Sequence, residues 1–497
     1  MEAKIKRPFN DAENLARIGI PGLDDILAGG LTPNRLYLID GDPGSGKTTI
    51  ALQFLLQGAA LGETTLYVTL AESEQELIAV AASHGWSLDK INILEIIPGG
   101  DALSTDEQIT MFHPSEVELG EATEKILTAV EKFKPKRVVI DSLSELRLLS
   151  QHSLRYRRQI LALKRFFMGR ECTVMLLDDR TADAADRQPY SIAHGVVTLE
   201  QVTPEYGGER RRLVISKYRG SSFRGGFHDF QILEGGVVVF PRLVAGEYPI
   251  RIERHVVKSG LSALDSLLGG GLSSGTSTLI TGPAGAGKSS VAMQYAVAAC
   301  ERDERVAVTL FDESTATLIE RMRGMGRPIE KYLSSGLLSV HQVDPAEFSP
   351  GQLVNMIRDQ VEHQGTKLIL LDSLNGYMHS MPGENFLTVQ LHELTSYLGH
   401  RDVTTIIVTT QQGFIGTTMQ SPVDATYLAD CVVLLRYYED SGRVHKAISV
   451  VKKRTGHHED SIRELTISGR GVLVGEPLKD FRGVLTGVPV RDRNHDS

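Results

Sequence analysis

Two short stretches carry residue types spaced for phosphate chemistry. Gly41-Asp42-Pro43-Gly44-Ser45-Gly46-Lys47-Thr48 and Gly282-Pro283-Ala284-Gly285-Ala286-Gly287-Lys288-Ser289 both fit G-x-x-x-x-G-K-[ST]. Glycines leave room for successive backbone N–H groups to curl around phosphate oxygens. Lys47 and Lys288 then face the outer phosphates, Thr49 and Ser290 close each binding stretch, and the Thr48 and Ser289 hydroxyls ligate Mg2+. Asp141 and Asp372 end the buried-strand patterns Val138-Val139-Ile140-Asp141 and Leu368-Ile369-Leu370-Leu371-Asp372, where a carboxylate supports that magnesium. Glu72 and the pair Asp312-Glu313 end the apolar stretches after each loop, where a carboxylate can orient and deprotonate an attacking water or hydroxyl. Ala71 precedes Glu72, so the first half has one carboxylate there and the second has two. Lys217-Tyr218-Arg219 and Lys452-Lys453-Arg454 repeat near the close of each half. Lys217, Arg219, Lys452 and Arg454 fit either a solvated basic face or fingers that reach a neighbouring subunit's γ-phosphate.

The elements that position these residues also repeat. Leu36–Asp40 and Thr278–Thr281 read as buried strands entering the loops, and Ile50–Ala60 and Val291–Cys300 as helices leaving them, whose N-termini favour anions. The loop lysines are 288 − 47 = 241 residues apart. Leu66 to Glu72 matches Val306 to Glu313, and Thr173–Leu177 matches Thr404–Thr409, as further strands. Strands alternating with helical segments imply an α/β chain of two domains, each a mainly parallel doubly wound sheet with ligands at the strand C-termini. The boundary is expected near residue 246, giving domains 1–246 and 247–497. Gly99 to Glu118 reads as a surface loop.

Composition narrows the function classes. Hydrophobic content of 41% and charged content of 23% are ordinary for a globular protein, and a net charge of −9 argues against a surface devoted to nucleic acid. Arg157-Arg158 and Arg210-Arg211-Arg212 lack the interleaved aromatics of a base-stacking platform and read as surface charge. No apolar run reaches the ~18 residues of a membrane span. The N-terminus lacks a signal-peptide core, and the three dispersed cysteines suit a reducing cytoplasm. His457-His458-Glu459-Asp460 reads as a solvated loop, so no metal beyond magnesium is expected.

These features together resemble the KaiC family of clock ATPases and autokinases. The resemblance rests on the tandem repeat, both phosphate loops, the Lys-x-Arg strand ends, and the lead-in G-[LI]-x-x-L-D-x-[LI]-L-x-G-G-L at Gly19–Leu31 and Gly260–Leu272. Leu434-Leu435-Arg436-Tyr437-Tyr438-Glu439 and Ser461-Ile462-Arg463-Glu464-Leu465 extend it, so that it spans about Arg17 to about Val490. It implies two RecA-like domains, a double-ring homohexamer with ATP between subunits, and the trans-acting role for Lys217, Arg219, Lys452 and Arg454. It also implies autophosphorylation in the second domain, where the family's acceptor pair falls at Thr426-Tyr427 and Thr426 keeps an aliphatic hydroxyl. Ala71 and Asp312 stand where the family has glutamates, which implies slow hydrolysis in the first domain and looser control of the acceptor in the second. Only Arg491–Ser497 follows Val490, which argues against a KaiA-type activator and leaves a KaiB-like protein or a signalling kinase as partner. Two other readings share the fold: an ATP-gated signalling scaffold without phosphotransfer, and a RecA-like ATPase acting on DNA.

Overall fold

The strand that feeds the first phosphate loop is buried on both faces. In Leu36–Gly41 (β1), Leu36 and Leu38 pack into one apolar cluster, and Tyr37 and Ile39 into another on the opposite face. Such a strand belongs in the interior of a parallel sheet covered on both sides by helices. The structure, a computed structural model, describes residues 15–96, 114–150, 152–180, 188–204, 206–250, 254–379, 386–411, 428–485 and 490–491. Thr426 and Tyr427 lie outside the described residues, as does 99–113 of the expected surface loop.

Beside β1 the first unit contains β2 (Thr65–Thr69), β3 (Asn92–Glu95), β4 (Arg137–Asp141), β5 (Thr173–Asp179), β6 (Gly195–Val202), β7 (Arg210–Tyr218), β8 (Phe227–Leu233) and β9 (Gly236–Phe240). They form one sheet in the order β3-β2-β4-β5-β1-β6-β7-β8-β9. Its strands are parallel from β3 to β6 and antiparallel from β6 to β9. After the short pair β10 (Val256–Val257) and β11 (Leu272–Ser273) come β12 (Ser277–Gly282), β13 (Val306–Leu310), β14 (Leu338–Gln342), β15 (Leu368–Asp372), β16 (Thr404–Thr410), β17 (Cys431–Asp440), β18 (Arg443–Lys453), β19 (Arg463–Ser468) and β20 (Gly471–Pro477). Their order, β14-β13-β15-β16-β12-β17-β18-β19-β20, repeats the first sheet place for place. The chain divides into two compact units between Arg242 and Leu243.

Five elements differ from the sequence reading. The loop helices begin at Lys47 and Lys288, so each lysine and its hydroxyl neighbour lie in the first helical turn. β2 and β13 stop at Thr69 and Leu310, because the Ser73 and Ser314 side chains cap the next helices and turn the chain. Glu72, Asp312 and Glu313 therefore sit in turns beyond the strands. The helix Pro114–Phe133 begins inside the expected loop. Proline is tolerated in a first helical turn, and Ala122, Ile126, Ala129 and Val130 supply a buried stripe.

Arg137, at the start of β4, is 1% exposed. Its guanidinium donates to Glu63 Oε2 at 2.5 Å, Arg17 O at 2.5 Å and Phe54 O at 2.9 Å, tying the lead-in and the loop helix to the sheet. Gly58 makes room, since a Cβ there would come 2.6 Å from Arg137 Cδ. The second unit has Leu368 at this register position. Arg137→Ala is expected to cost ~3–5 kcal/mol, because the Glu63 carboxylate loses its counter-charge and two buried carbonyls lose their donor. Chemical denaturation with hydrogen exchange should assign the loss to the first unit; equal loss in both units would refute it.

Candidate active sites

Both loops end on a glycine that no other residue can replace without strain. Gly46 and Gly287 precede their helices with φ of 99° and 101°, in the left-handed region. A Cβ at Gly46 would lie 2.8 Å from Ile232 Cδ1, and one at Gly287 would lie 2.1 Å from Ile467 Cδ1. The N-terminal N–H groups of each helix thus face into a tight loop, the arrangement that receives anions. The lysines follow immediately and are buried. Lys47 Nζ donates to Gly41 O and Asp42 O, each at 2.9 Å, and meets Asp179 Oδ1 at 2.7 Å. Lys288 Nζ donates to Pro283 O at 2.9 Å, and burial pulls its pKa down to about 8 against the opposing pull of Asp372.

Each loop brings a hydroxyl to an aspartate across the sheet. Thr48 Oγ1 donates to Asp141 Oδ2 at 3.2 Å, and the Tyr67 hydroxyl donates to the same oxygen at 2.5 Å. Burial raises the pKa of Asp141 although both bonds oppose it. Asp372 is raised by burial in the same way, against a hydrogen bond from Ser289. A hydroxyl and a carboxylate, all oxygen, form the donor set that a hard cation such as Mg2+ prefers, so both pairs fit that ion.

The candidate bases differ between the units. Glu72 Oε2 is buried with no hydrogen-bond partner among the described residues. Burial, and secondarily the Asp141 charge, raise its pKa above the usual carboxylate value, the direction that strengthens a proton acceptor. Glu313 is instead clasped by Arg321 through two contacts of 2.7 and 3.1 Å, and Asp312 accepts from Ser373 Oγ at 2.6 Å. Lys288, Ser289, Asp312, Glu313, Arg321 and Asp372 line one open cavity of about 530 Å³.

The basic strand ends do not join their own chain's loops. Arg219 N–H donates to His194 O and His194 N–H to Leu36 O, so Arg219 is level with the entry end of β1. Five residues of strand, about 17 Å, separate that level from Gly41. Lys217 Nζ caps the carbonyls of Tyr190 and Ala193 at 2.5 and 2.7 Å. Arg454 is placed likewise through Asp430 and Ser277, with Asp430 Oδ1 at 3.4 Å from its guanidinium, and Lys452 pairs with Val432 beside them.

Sequence reasoning missed Tyr67, Asp179, Arg321 and Tyr437, whose hydroxyl donates to Ala284 O at 3.0 Å over the second loop. An acid closing an apolar strand was a visible signal for Asp179; the other three become functional candidates only through strand order and helix facing.

The family model for the KaiC ATPase matches residues 16–244 and again 257–479. The chain is 28% identical to the circadian clock oscillator protein KaiC of Synechococcus elongatus, over 98% of this chain and 95% of that protein. It is 28% identical to the Acaryochloris marina protein of the same name, over 95% and 90% of the two chains. For the Picosynechococcus protein the figures are 29%, 95% and 92%.

A phosphate that takes the Lys288 ammonium needs it protonated, so binding draws in a proton once pH exceeds about 8. Nucleotide affinity of the second unit, isolated in a Lys47→Ala chain, is expected to fall by up to about tenfold per pH unit above that value. A fluorescent-nucleotide titration from neutral to alkaline pH that gives a flat profile would overturn this.

Proposed function

The chain belongs to the KaiC family of ATPases, and from that premise we propose a Mg2+-dependent homohexamer of two stacked rings. In this reading the first unit hydrolyses ATP and holds the assembly together, while the second transfers phosphate to Thr426. The observation that carries it is one constellation repeated at the same place in two sheets of the same strand order: a buried loop lysine beside a hydroxyl–carboxylate pair.

Residues 41–49 and 282–290 would wrap the phosphates through backbone N–H groups, with Lys47 and Lys288 on the outer ones. Thr48 with Asp141, and Ser289 with Asp372, would hold Mg2+, which neutralises charge on the outer phosphates when bound. In the first unit Glu72 accepts the proton of the attacking water. In the second, the Thr426 hydroxyl of one subunit attacks the γ-phosphorus held by its neighbour. The bond to the β-phosphate oxygen breaks, ADP departs, and the hydroxyl proton passes to Glu313 or Asp312 once Arg321 or Ser373 lets it go. Tyr427 is the alternative acceptor. Lys217 and Arg219, with Lys452 and Arg454, lie too far down the sheet to serve their own loops and would neutralise a neighbour's γ-phosphate.

This reading gives a timing or signalling role in the cytoplasm, with a KaiB-like protein or a signalling kinase as partner and no nucleic acid. The Arg321 clasp on Glu313 favours a second reading, an ATP-gated scaffold that moves no phosphate to protein.

After incubation with Mg-ATP, intact mass and phosphopeptide mapping are expected to find phosphate on Thr426, lost in a Lys288→Ala chain and retained in Lys47→Ala if the ring still forms. Incorporation unchanged by Lys288→Ala would sink the assignment of the second site. ATP consumed with no phosphate on the chain would select the scaffold reading.

A further inference from the structure

The two loops sit in matching frames that differ in charge. Asp179 ends β5 level with Gly41, and Thr410 ends β16 level with Gly282. One residue back, Asp178 lies level with Asp40 in the first unit, where the second has Thr409 level with Thr281. The scaffold beneath is otherwise the same. Ser144 Oγ donates to Asp179 Oδ2 at 3.3 Å and accepts from Asp179 N–H at 3.2 Å. Asn375, at the corresponding step after β15, accepts from Thr409 Oγ1 at 2.8 Å and from Thr410 N–H at 2.6 Å.

Asp179 is held by Ser144 with its other oxygen 2.7 Å from Lys47 Nζ. An ammonium has three protons, and Gly41 O, Asp42 O and Asp179 Oδ1 take them. Thr410 lines the cavity that contains Lys288 and brings no charge to it. We propose that Asp179 sets the nucleotide affinity of the first unit, its carboxylate competing with an incoming phosphate for the Lys47 ammonium. This rests on the reading of Lys47 as a phosphate ligand. A polyphosphate entering the first loop must displace an ion pair whose ammonium is buried, and then faces the released carboxylate as a like charge. The second loop imposes neither penalty. The two units of one chain therefore fill at different nucleotide concentrations, the first at the higher. Asp179 is a positioning residue here, since it acts through Lys47.

The test uses the full chain and a fluorescent ADP analogue. Lys288→Ala isolates the first site and Lys47→Ala the second. In the Lys288→Ala chain, Asp179→Thr and Asp179→Asn are expected to tighten binding roughly tenfold, the scale of one charge-assisted contact that no longer needs breaking. In the Lys47→Ala chain, Thr410→Asp is expected to loosen the second site by a similar factor, a change that a merely structural role for Asp179 would not produce. First-site binding that depends on Lys47 but is unchanged or weakened by both Asp179 variants, with Thr410→Asp silent, overturns the proposal alone. First-site binding that survives adding Lys47→Ala to the Lys288→Ala chain overturns the phosphate-ligand reading, and the proposal with it.

Discussion

The left-handed turn at Gly46 and Gly287 is the constraint on which the rest of both units depends. It aims the first N–H groups of each helix back into the loop and sets the following lysine and hydroxyl within the first helical turn. The turn is enforced from a distance. Ile232 on β8 and Ile467 on β19, well along the antiparallel side of each sheet, occupy the space a side chain on that glycine would need. The antiparallel strands thus do more than widen the sheet: their far side closes over the phosphate loop.

Around that fixed backbone, buried charge is arranged to be relieved by its opposite. Asp141 and Asp372 are pushed toward the neutral form by burial, and Lys288 likewise. Each shift is a cost of taking charge out of water, and each reverses when a counter-charge arrives: a cation at the carboxylate, a phosphate at the ammonium. In the first unit the chain supplies part of this itself, through Tyr67 on Asp141 and Asp179 on Lys47.

The duplicated frame has diverged in these supplements. Strand order, the register of the parallel strands and the glycine turns are the same in both halves, while the ends of β1 and β5 carry aspartates where β12 and β16 carry threonines. A strand's middle is packed on both faces, so its residues are held by shape. Its C-terminal end opens on the crevice, where polar or charged groups fit without disturbing the core. Arg137 is the exception, a core charge accommodated because Gly58 lacks a side chain and the Glu63 carboxylate and two backbone carbonyls converge on it.

The sequence by itself located two glycine-rich loops, the lysines and hydroxyls that close them and the aspartates at nearby strand ends, and it showed that strands alternate with helices in a repeat. These are local properties, set by a run of glycines, short continuous apolar stretches and a recurring spacing of 241 residues. Tertiary structure alone decided which side chains meet. β5 lies against β1 although β2, β3 and β4 come between them in the chain, and that order puts Asp179 on Lys47. Arg321 reaches Glu313 because Ser314 starts a helix one residue after the acid. Lys217 and Arg219 are removed from their own loop because β7 runs antiparallel and finishes level with the start of β1. Contacts between residues far apart in the chain depend on strand order and direction, which an apolar stretch along one segment does not encode.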